Sequence, residues 1–501
     1  MEGFDYIVVG AGSAGCVVAA RLSEDPDARV LLLEAGGPDA NPDIHVPARA
    51  WHVWMTADDW WYPTTPQDGQ LGRSSFIPRG KVLGGSSSIN GTIYIRGFSG
   101  DYDHWAYLGN AGWDYESVLP YFKKSEDYYG GANDYHGAGG PLTVSRIVEP
   151  TPMTEAFIES GVAMGIPRNA DFAGPSTMGI GLADLSVREG RRQSTSVAFL
   201  RPAMNRPNLT VATHALARRL IFNGTRCTGV EYAHDGKITQ ELAAQEVIVC
   251  AGSIASPKLL MLSGIGAADE LKAHGITPIA DLPGVGKNLQ DHLLTFVIHE
   301  GKKELPASKY NILEAHFFGK TDSRLPAPDI QPLFMSSAPP LPYLDIPPNS
   351  YAVAPGIIRP ASRGEIRLTS ADPDAPLAID PGYLREQADH RALVHSLEVS
   401  IELMEGKAFG AWSKRRVWPQ KTDRKSLGAY VRDVSETYHH HAGTCKMGLD
   451  AMSVVDPELR VYGVEGLRVA DASIMPDVTS GNTNAPAIMI GEKAADMIKA
   501  A

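Results

Sequence analysis

Three consecutive histidines near the C-terminal end of the chain have the residue types and spacing that most directly suggest chemistry. They stand in TYHHHAGTCKMG, residues 437–448, with Cys445 four residues beyond the last of them. A histidine can ligate a metal ion, take up a proton near neutral pH because its unperturbed pKa is about 6.5, or form hydrogen bonds in a core. Each of these three roles requires different partner residues elsewhere in the chain.

The local pattern disfavours a metal site. YHHHAG is typical of an extended strand, in which consecutive side chains point to opposite faces. His439 and His441 are then expected on one side and His440 on the other, so the three rings do not converge on one ion. No acidic residue has a typical ligand spacing, and Cys445 would have to turn back past Gly443. We expect no metal, and structural roles for His439 and His441.

The N-terminal end of the chain carries the parts of a dinucleotide-binding unit. DYIVVG predicts a buried parallel strand, which leads through a G-x-G-x-x-G pattern at Gly10, Gly12 and Gly15 into the helical run CVVAARLSE. A second strand, ARVLLLEAG, places Glu34 about twenty residues beyond the glycines. The three glycines suit a tight turn, a close approach to a pyrophosphate and close helix–strand packing, and the helix N-terminus attracts phosphates.

Glu34 narrows the choice of dinucleotide. Its carboxylate can accept hydrogen bonds from both ribose hydroxyls and would repel a 2′-phosphate, which favours an ADP-containing dinucleotide other than NADP. The motif by itself does not distinguish FAD from NAD.

Composition limits the class of protein. A chain of 501 residues suggests about two or three domains. With 46 basic and 58 acidic residues the formal charge is −12, which disfavours nucleic acid as a partner. Four scattered cysteines without a CxxC pair are expected to be reduced and buried. The chain shows neither a signal-peptide pattern nor an apolar run long enough to span a membrane, so we expect a cytoplasmic protein.

Several long motifs carry a resemblance to a known family. The stretch GKVLGGSSSIN within residues 78–97 resembles the first signature of the glucose–methanol–choline (GMC) flavoprotein oxidoreductases, and GSIASPKLLMLSGIG, residues 252–266, resembles the second. Further similar stretches follow at residues 282–292, 359–373 and 466–498. The resemblance runs from residue 4 to residue 498 and is greatest to bacterial choline-dehydrogenase-like and sorbose-dehydrogenase-like members.

This resemblance implies an α/β fold with a Rossmann-like FAD-binding domain and a second, α+β substrate domain built on an antiparallel sheet. Periodicity along the chain assigns the FAD-binding domain to residues 1–140, 195–295 and 436–501. It assigns the substrate-binding domain to residues 141–194 and 296–435, where polar and apolar residues alternate.

The implied activity is FAD-dependent oxidation of an alcohol to the carbonyl, by a dehydrogenase or an oxidase. The donor would be a primary or secondary alcohol, a polyol or a sugar, and the electron acceptor would be oxygen or an artificial or quinone-type acceptor. Cyanohydrin cleavage by a hydroxynitrile lyase on the same fold is the alternative.

The resemblance also implies catalytic residues. The family's catalytic histidine lies three residues before the glycine of GTCxMG, which is Gly443 here and selects His440. His441 stands where relatives often have proline, and His439 is the second choice. Asn484, the second asparagine of GNTN, matches the partner position. His440 would take the hydroxyl proton while hydride passes to flavin N5, and Asn484 would donate a hydrogen bond to the substrate oxygen.

FAD is expected to be bound without a covalent bond, because Ile89 occupies the position at which some relatives attach the flavin through histidine. The C-terminal helix, expected to start near Pro486, would aim its N-terminus at the flavin. The predicted cofactor-binding residues are Gly10, Gly12, Ser13, Ala14, Gly15, Glu34, Ala35, Val82, Gly85, Ser86, Asn90, Gly91, Ile93, Ala217, Asp471, Ala472, Ala485 and Pro486.

The substrate pocket is less well specified. A choline site would need an aromatic cage with a carboxylate, and the acids Asp58, Asp59 and Asp345 are close to aromatic residues only in sequence. Residues 297–328, shorter than in many relatives, would contribute to the roof of the pocket. The aromatic residues considered for the lining are Trp60, Trp61, Tyr62, Phe317, Phe318 and Tyr343.

Overall fold

A mixed seven-stranded sheet forms the first half of the protein in the computed structural model, which describes residues 3–501. Its apolar runs, such as Val30–Leu33, are buried on both faces, as expected for parallel strands covered by helices. Phe4–Val9 pairs in parallel with Val30–Leu33 and with the end of Lys237–Val249. The strand order is Leu209–Ala212, Val30–Leu33, Phe4–Val9, Lys237–Val249, Arg226–His234 and Ala215–Asn223, with Leu467–Val469 also pairing with Lys237–Val249.

Two helices beside this sheet pack on each other. Helix Gly15–Leu22 follows the first strand directly, and the C-terminal helix Asn484–Lys499 lies against it. The close approach needs a glycine at residue 491, where an added Cβ would stand 2.8 Å from the carbonyl oxygen of Ala14. Arg21 and the fully buried Glu492 form an ion pair of 2.7 Å across the same contact. The two ends of the chain therefore form one unit.

A six-stranded antiparallel sheet forms the second half. Its strand order is Ser413–Trp418, Val297–Gly301, Ser350–Ala354, Leu333–Met335, Leu313–Phe318 and Gly179–Leu182. Helices Pro152–Ala163 and Gln387–Met404 contribute buried side chains to the core of this half. The predicted fold class, a Rossmann-like α/β unit with a second unit on an antiparallel sheet, is confirmed.

The strands of the two sheets fall in the segments assigned to the two domains, and the exact boundaries remain predictions. The other helices are Ala50–Val53, Ser99–Tyr107, Tyr115–Ser125, Arg201–Ala203, Gly252–Leu262, Ala268–Ala273 and Arg424–Val434. The short strands are Tyr62–Pro63, Phe76–Ile77, Glu126–Tyr128, Leu142–Arg146, Asp184–Leu185, Val187–Arg188, Arg191–Arg192, Ile265–Gly266, Ala280–Asp281, Leu293–Leu294, Gly356–Ile357, Glu365–Leu368, Leu377–Asp380 and Glu436–Thr437.

Two further sequence-based predictions concern the state of the cysteines and the presence of a membrane-spanning helix. All four cysteines are free and buried. Among residues 3–501, no helix is both long and apolar enough to cross a membrane.

Candidate active site

A cavity of about 740 Å³ is lined by residues from both halves of the protein. The glycine-rich fingerprint contributes Ser13 and Ala14, and the antiparallel sheet contributes Leu333, Met335 and Ala354. A volume of this size is typical of a site for small molecules and cofactors.

Three helix N-termini meet at this cavity. In helices Gly15–Leu22, Gly252–Leu262 and Asn484–Lys499 the N-cap residue makes no side-chain cap, although the first N–H of the second helix donates to Asp471. Residues at the start of each helix line the cavity. The first N–H groups of a helix lack intrahelical partners and form the positive end of its dipole. Such termini attract phosphate groups and other negative charge. The convergence fits a dinucleotide that carries a pyrophosphate and a ring able to accept negative charge.

The two glycine-rich loops touch each other beside these termini. A Cβ added at Gly85 would stand 2.7 Å from Cα of Gly12 in the other loop. Within the fingerprint loop, a Cβ added at Gly15 would stand 1.8 Å from the carbonyl oxygen of Gly10. Gly84 donates its N–H to the carbonyl of Ala11 at 2.7 Å. The backbone of both loops is thus held close together with no side chain between them, as a cofactor lying along both loops requires.

Two carboxylates are held by backbone donors near the fingerprint. Glu34 accepts hydrogen bonds from the N–H groups of Ala11 and Gly36, at 2.9 and 2.8 Å. Burial raises the pKa of Glu34 to about 7. Asp471 accepts from the N–H of Gly252 at 2.8 Å, at the start of a helix that lines the cavity. Both carboxylates therefore order the backbone around the predicted cofactor site.

The predicted cofactor residues divide into two groups. Those that line the cavity are Ser13, Ala14, Ser86, Asn90, Gly91, Ile93, Asp471 and Ala472. Those that lie outside its lining are Gly10, Gly12, Gly15, Glu34, Ala35, Val82, Gly85, Ala217, Ala485 and Pro486. The glycines of the second group shape the loop backbone, and Ala217 lies in strand Ala215–Asn223. The C-terminal helix begins at Asn484, two residues before the expected Pro486.

The three histidines do not continue a regular strand, so the expected alternation of their side chains is wrong. Strand Glu436–Thr437 ends two residues before His439, whose φ is +68°. This left-handed conformation is uncommon for residues other than glycine and breaks the alternation. All three histidines line the cavity.

His440 has hydrogen-bond partners on both ring nitrogens. Its Nδ1 lies 2.9 Å from Nδ1 of the buried His292, and its Nε2 lies 3.0 Å from the amide nitrogen of Asn482. The backbone N–H of His440 donates to Asp291 at 2.7 Å. Burial, and then the proximity of His292 and other basic groups, holds the pKa of His440 well below 6.5. The ring is therefore neutral at neutral pH and able to accept a proton.

The two flanking histidines have different surroundings. His441 bonds Arg79 through Nδ1 at 2.6 Å and the hydroxyl of Tyr383 through Nε2 at 3.1 Å. His439 packs its ring edge-on against Trp54, with centroids 4.9 Å apart, and its Nδ1 is buried without a partner. His441 thus has the hydrogen bonding of a structural residue. Among residues 3–501, no group of three or more potential ligands is arranged to hold a metal ion.

The asparagines of GNTN take different partners from those expected. Asn484 accepts a hydrogen bond from the hydroxyl of Ser13 at 2.7 Å, whereas Asn482 contacts His440. Both line the same cavity. Asn482 and His292 were missed from the sequence, because neither stands close in the chain to His440. The only sequence signal for these two residues is that His292 lies within residues 282–292 and Asn482 within residues 466–498, two of the stretches that resemble the GMC family.

The aromatic lining also differs from the expectation. Of the six candidates only Trp61 and Tyr343 line the cavity. Phe317 and Phe318 are buried, and Trp60 stacks on Tyr62 at 5.5 Å. Trp51, Trp54, Phe76 and Phe296 line the cavity and were not predicted. The roof segment contributes Asn311, Ile312 and Leu313.

Ile89 lines the cavity, and its hydrocarbon side chain offers no atom for a covalent bond to a cofactor. We expect acid denaturation of the holoprotein to release all its flavin into the supernatant. The measurement is the flavin absorbance of supernatant and washed pellet, with free FAD treated in parallel as the control. A pellet that stays yellow would show covalent attachment.

Comparisons with known proteins find similarity along nearly the whole chain. Family models described as GMC oxidoreductase match residues 4–294 and 360–491. The chain is 41% identical to mitochondrial choline dehydrogenase of Homo sapiens, over 99% of this chain and 90% of the relative. It is 43% identical to oxygen-dependent choline dehydrogenase of Burkholderia multivorans, over 99% and 93%. The crystal structure of pyridoxine 4-oxidase from Mesorbium loti superposes with a TM-score of 0.95 at 35% identity, over 98% of both chains.

Proposed function

Because the chain belongs to the GMC oxidoreductase family, we propose that His440 is the base with which it oxidises an alcohol. The protein is an FAD-dependent oxidoreductase acting on CH–OH donors. The single observation that carries the proposal is that the neutral imidazole of His440 lines the cavity at which the three helix N-termini meet.

The reaction removes a proton from the hydroxyl oxygen and a hydride from the adjacent carbon, leaving a carbonyl. Bound FAD supplies the acceptor for the hydride. The residues that would hold it are the fingerprint and the loop at residues 84–90, together with Asp471 and the starts of helices Gly252–Leu262 and Asn484–Lys499.

His440 takes the hydroxyl proton at Nε2, the ring nitrogen on the Asn482 side, because its Nδ1 is engaged with the buried His292. With the proton of the neutral ring on Nδ1, His440 donates to His292 and keeps the Nε2 lone pair for the substrate. Asp291 holds the backbone of His440 through its N–H. The base is thus oriented before the substrate arrives, which removes an entropic cost from the reaction.

Two asparagines serve the same proton transfer in different ways. Before an alcohol binds, Asn482 orients the imidazole by donating its amide to Nε2, at 3.0 Å. The alcohol hydroxyl displaces this amide when it gives its proton to Nε2. Asn484, which lines the same cavity beside Ser13, donates its amide to the alcohol oxygen and holds it for attack. An amide does not compete for the proton, so both can act next to the base.

An anaerobic reduction experiment tests the proposed function. Purified yellow holoprotein is mixed with single alcohols without oxygen, and the flavin absorbance is followed. We expect bleaching by at least one alcohol, with formation of the matching aldehyde or ketone. Release of cyanide from cyanohydrins without any bleaching would support the lyase alternative instead. The reduced protein is then mixed with air in one sample and with a quinone in another. The rate at which the flavin absorbance returns identifies the better electron acceptor.

The pH dependence of the reaction follows from the burial of His440. Because its pKa lies well below 6.5, the ring remains unprotonated at every pH above that value. We therefore expect kcat/KM for an uncharged alcohol to stay flat as pH falls from about 8 to 6.5, and to decline only at lower pH. Initial rates across this range, with flavin content measured at each pH, provide the test. An acid limb with its midpoint at or above 6.5 would contradict it.

A further inference from the structure

We propose that the Arg73–Glu436 ion pair makes this site selective for uncharged alcohols with an aromatic body, and that it disfavours quaternary ammonium alcohols such as choline. The inference rests on the proposed function, because it concerns the substrate of the same cavity. The similarity to choline dehydrogenases does not suggest this selectivity, which follows from the charged side chains of the cavity wall.

The cavity wall contains only two carboxylates among the residues that the structure describes, and both are engaged. Asp471 is held by the N–H of Gly252, the hydroxyl of Ser256 and the N–H of Ser473, at 2.6 to 2.8 Å. Glu436 accepts from Arg73 at 2.7 Å on Oε1. A cationic substrate would therefore meet no carboxylate that lacks a positive or hydrogen-bonding partner.

The pair at Glu436 is reinforced by its neighbours. The hydroxyl of Tyr343 donates to the same Oε1 at 2.9 Å, and the Arg73 guanidinium lies 5.8 Å from the centre of the Tyr343 ring. Arg73 also donates to the backbone carbonyl of Ser435. Both Nη atoms of Arg73 are thus engaged, and its side chain lines the cavity. Arg79 adds a second guanidinium to the lining.

The apolar part of the wall supplies flat surfaces. Trp51 and Trp54 meet edge-to-face at 4.9 Å, and Trp61 stacks on Phe76 at 5.1 Å. Aromatic faces can hold either a cation or another ring. Glu436 is already bonded to Arg73, and Asp471 accepts three hydrogen bonds. Neither carboxylate is free to pair with a cation held on these rings, which favours an uncharged ring. The side chains of Arg73 and Glu436 are 26% and 21% exposed, so solvent weakens this discrimination without removing it.

A matched pair of substrates isolates the charge. Choline and 3,3-dimethylbutan-1-ol have nearly the same shape and differ in one positive charge. We expect kcat/KM of the wild-type holoenzyme to be at least about tenfold higher for the uncharged isostere, equivalent to about 1.4 kcal/mol. Benzyl and cinnamyl alcohols are expected to exceed both. A choline value above that of the isostere would overturn the proposal, while no bleaching with any alcohol would refute the proposed function itself.

Two variants test the pair directly. Arg73→Met leaves Glu436 unpaired, so the choline-to-isostere ratio should rise about tenfold or more. Glu436→Gln leaves Arg73 unpaired and should lower the ratio. Arg324→Met removes the same charge from an 88% exposed side chain and should leave the ratio unchanged. A ratio that is the same in wild type and both pair variants would overturn the proposal. The ratio is taken within one preparation, so partial loss of folded protein does not affect it.

Discussion

Replacing His440 by alanine lowers kcat for alcohol oxidation by about 10²–10⁴-fold and leaves FAD bound. The neutral imidazole of His440 lines the cavity. Its Nε2 contacts the amide of Asn482, and its Nδ1 contacts Nδ1 of His292. Its removal leaves no group at that position to take the hydroxyl proton. The cofactor contacts we propose involve other residues, so flavin content should not change.

The measurement is single-turnover flavin reduction, which separates the chemical step from release of product. His440→Asn is the companion variant, because it keeps a polar group next to His292 but supplies no base. His104→Ala, which removes an imidazole that is 43% exposed and outside the cavity lining, should reduce flavin at the wild-type rate. Full activity in His440→Ala would exclude this residue as the base.

Adding a single methyl group at residue 15 should remove FAD from the protein. The Cβ of Gly15→Ala would stand 1.8 Å from the carbonyl oxygen of Gly10 and 3.1 Å from Cβ of Cys250. The first of these neighbours is backbone and cannot rotate away, so the helix must shift from the strand. Overpacking of this kind costs about 1–3 kcal/mol. The shift also displaces the helix N-terminus that we propose faces the pyrophosphate.

The ratio of flavin to protein absorbance after purification measures this effect, and we expect a decrease of about tenfold or more. Gly410→Ala is the matched control, since a Cβ at Gly410 meets no atom within 4 Å and its φ lies outside the left-handed region. That variant should purify with the wild-type flavin content. Normal flavin content in Gly15→Ala would contradict the proposed role of the fingerprint.

Features encoded in short stretches were predicted well. The strand, glycine turn, helix and second strand at the N-terminus follow from apolar periodicity and from the G-x-G-x-x-G spacing. In the structure, Gly10 and Gly15 leave no room for a side chain. His440 was selected because the resemblance to the family places the catalytic histidine three residues before Gly443, and His440 does line the cavity. The antiparallel second half followed from alternation of polar and apolar residues. These signals are local, so a sequence carries them directly.

The local conformation around the histidines was not predictable in the same way. The prediction of an extended strand for YHHHAG does not allow for the left-handed backbone of His439, whose φ is +68°. This conformation changes the direction of the His440 side chain that follows. The Arg79 side chain bonds the carbonyl of His439 and the ring of His441, and so supports this turn from 360 residues away in the chain. Tertiary contacts therefore override the intrinsic tendency of the segment.

By itself, the sequence determined that the chain has a dinucleotide fingerprint, a second sheet of antiparallel strands and a histidine in the family's catalytic position. Only the tertiary structure decided that Asn482 and His292 contact that histidine, and that Arg73 neutralises Glu436 across 363 residues of chain. The physical reason is that a residue's own neighbours limit its backbone, whereas a hydrogen bond between distant side chains exists only after both sheets have packed around the cavity.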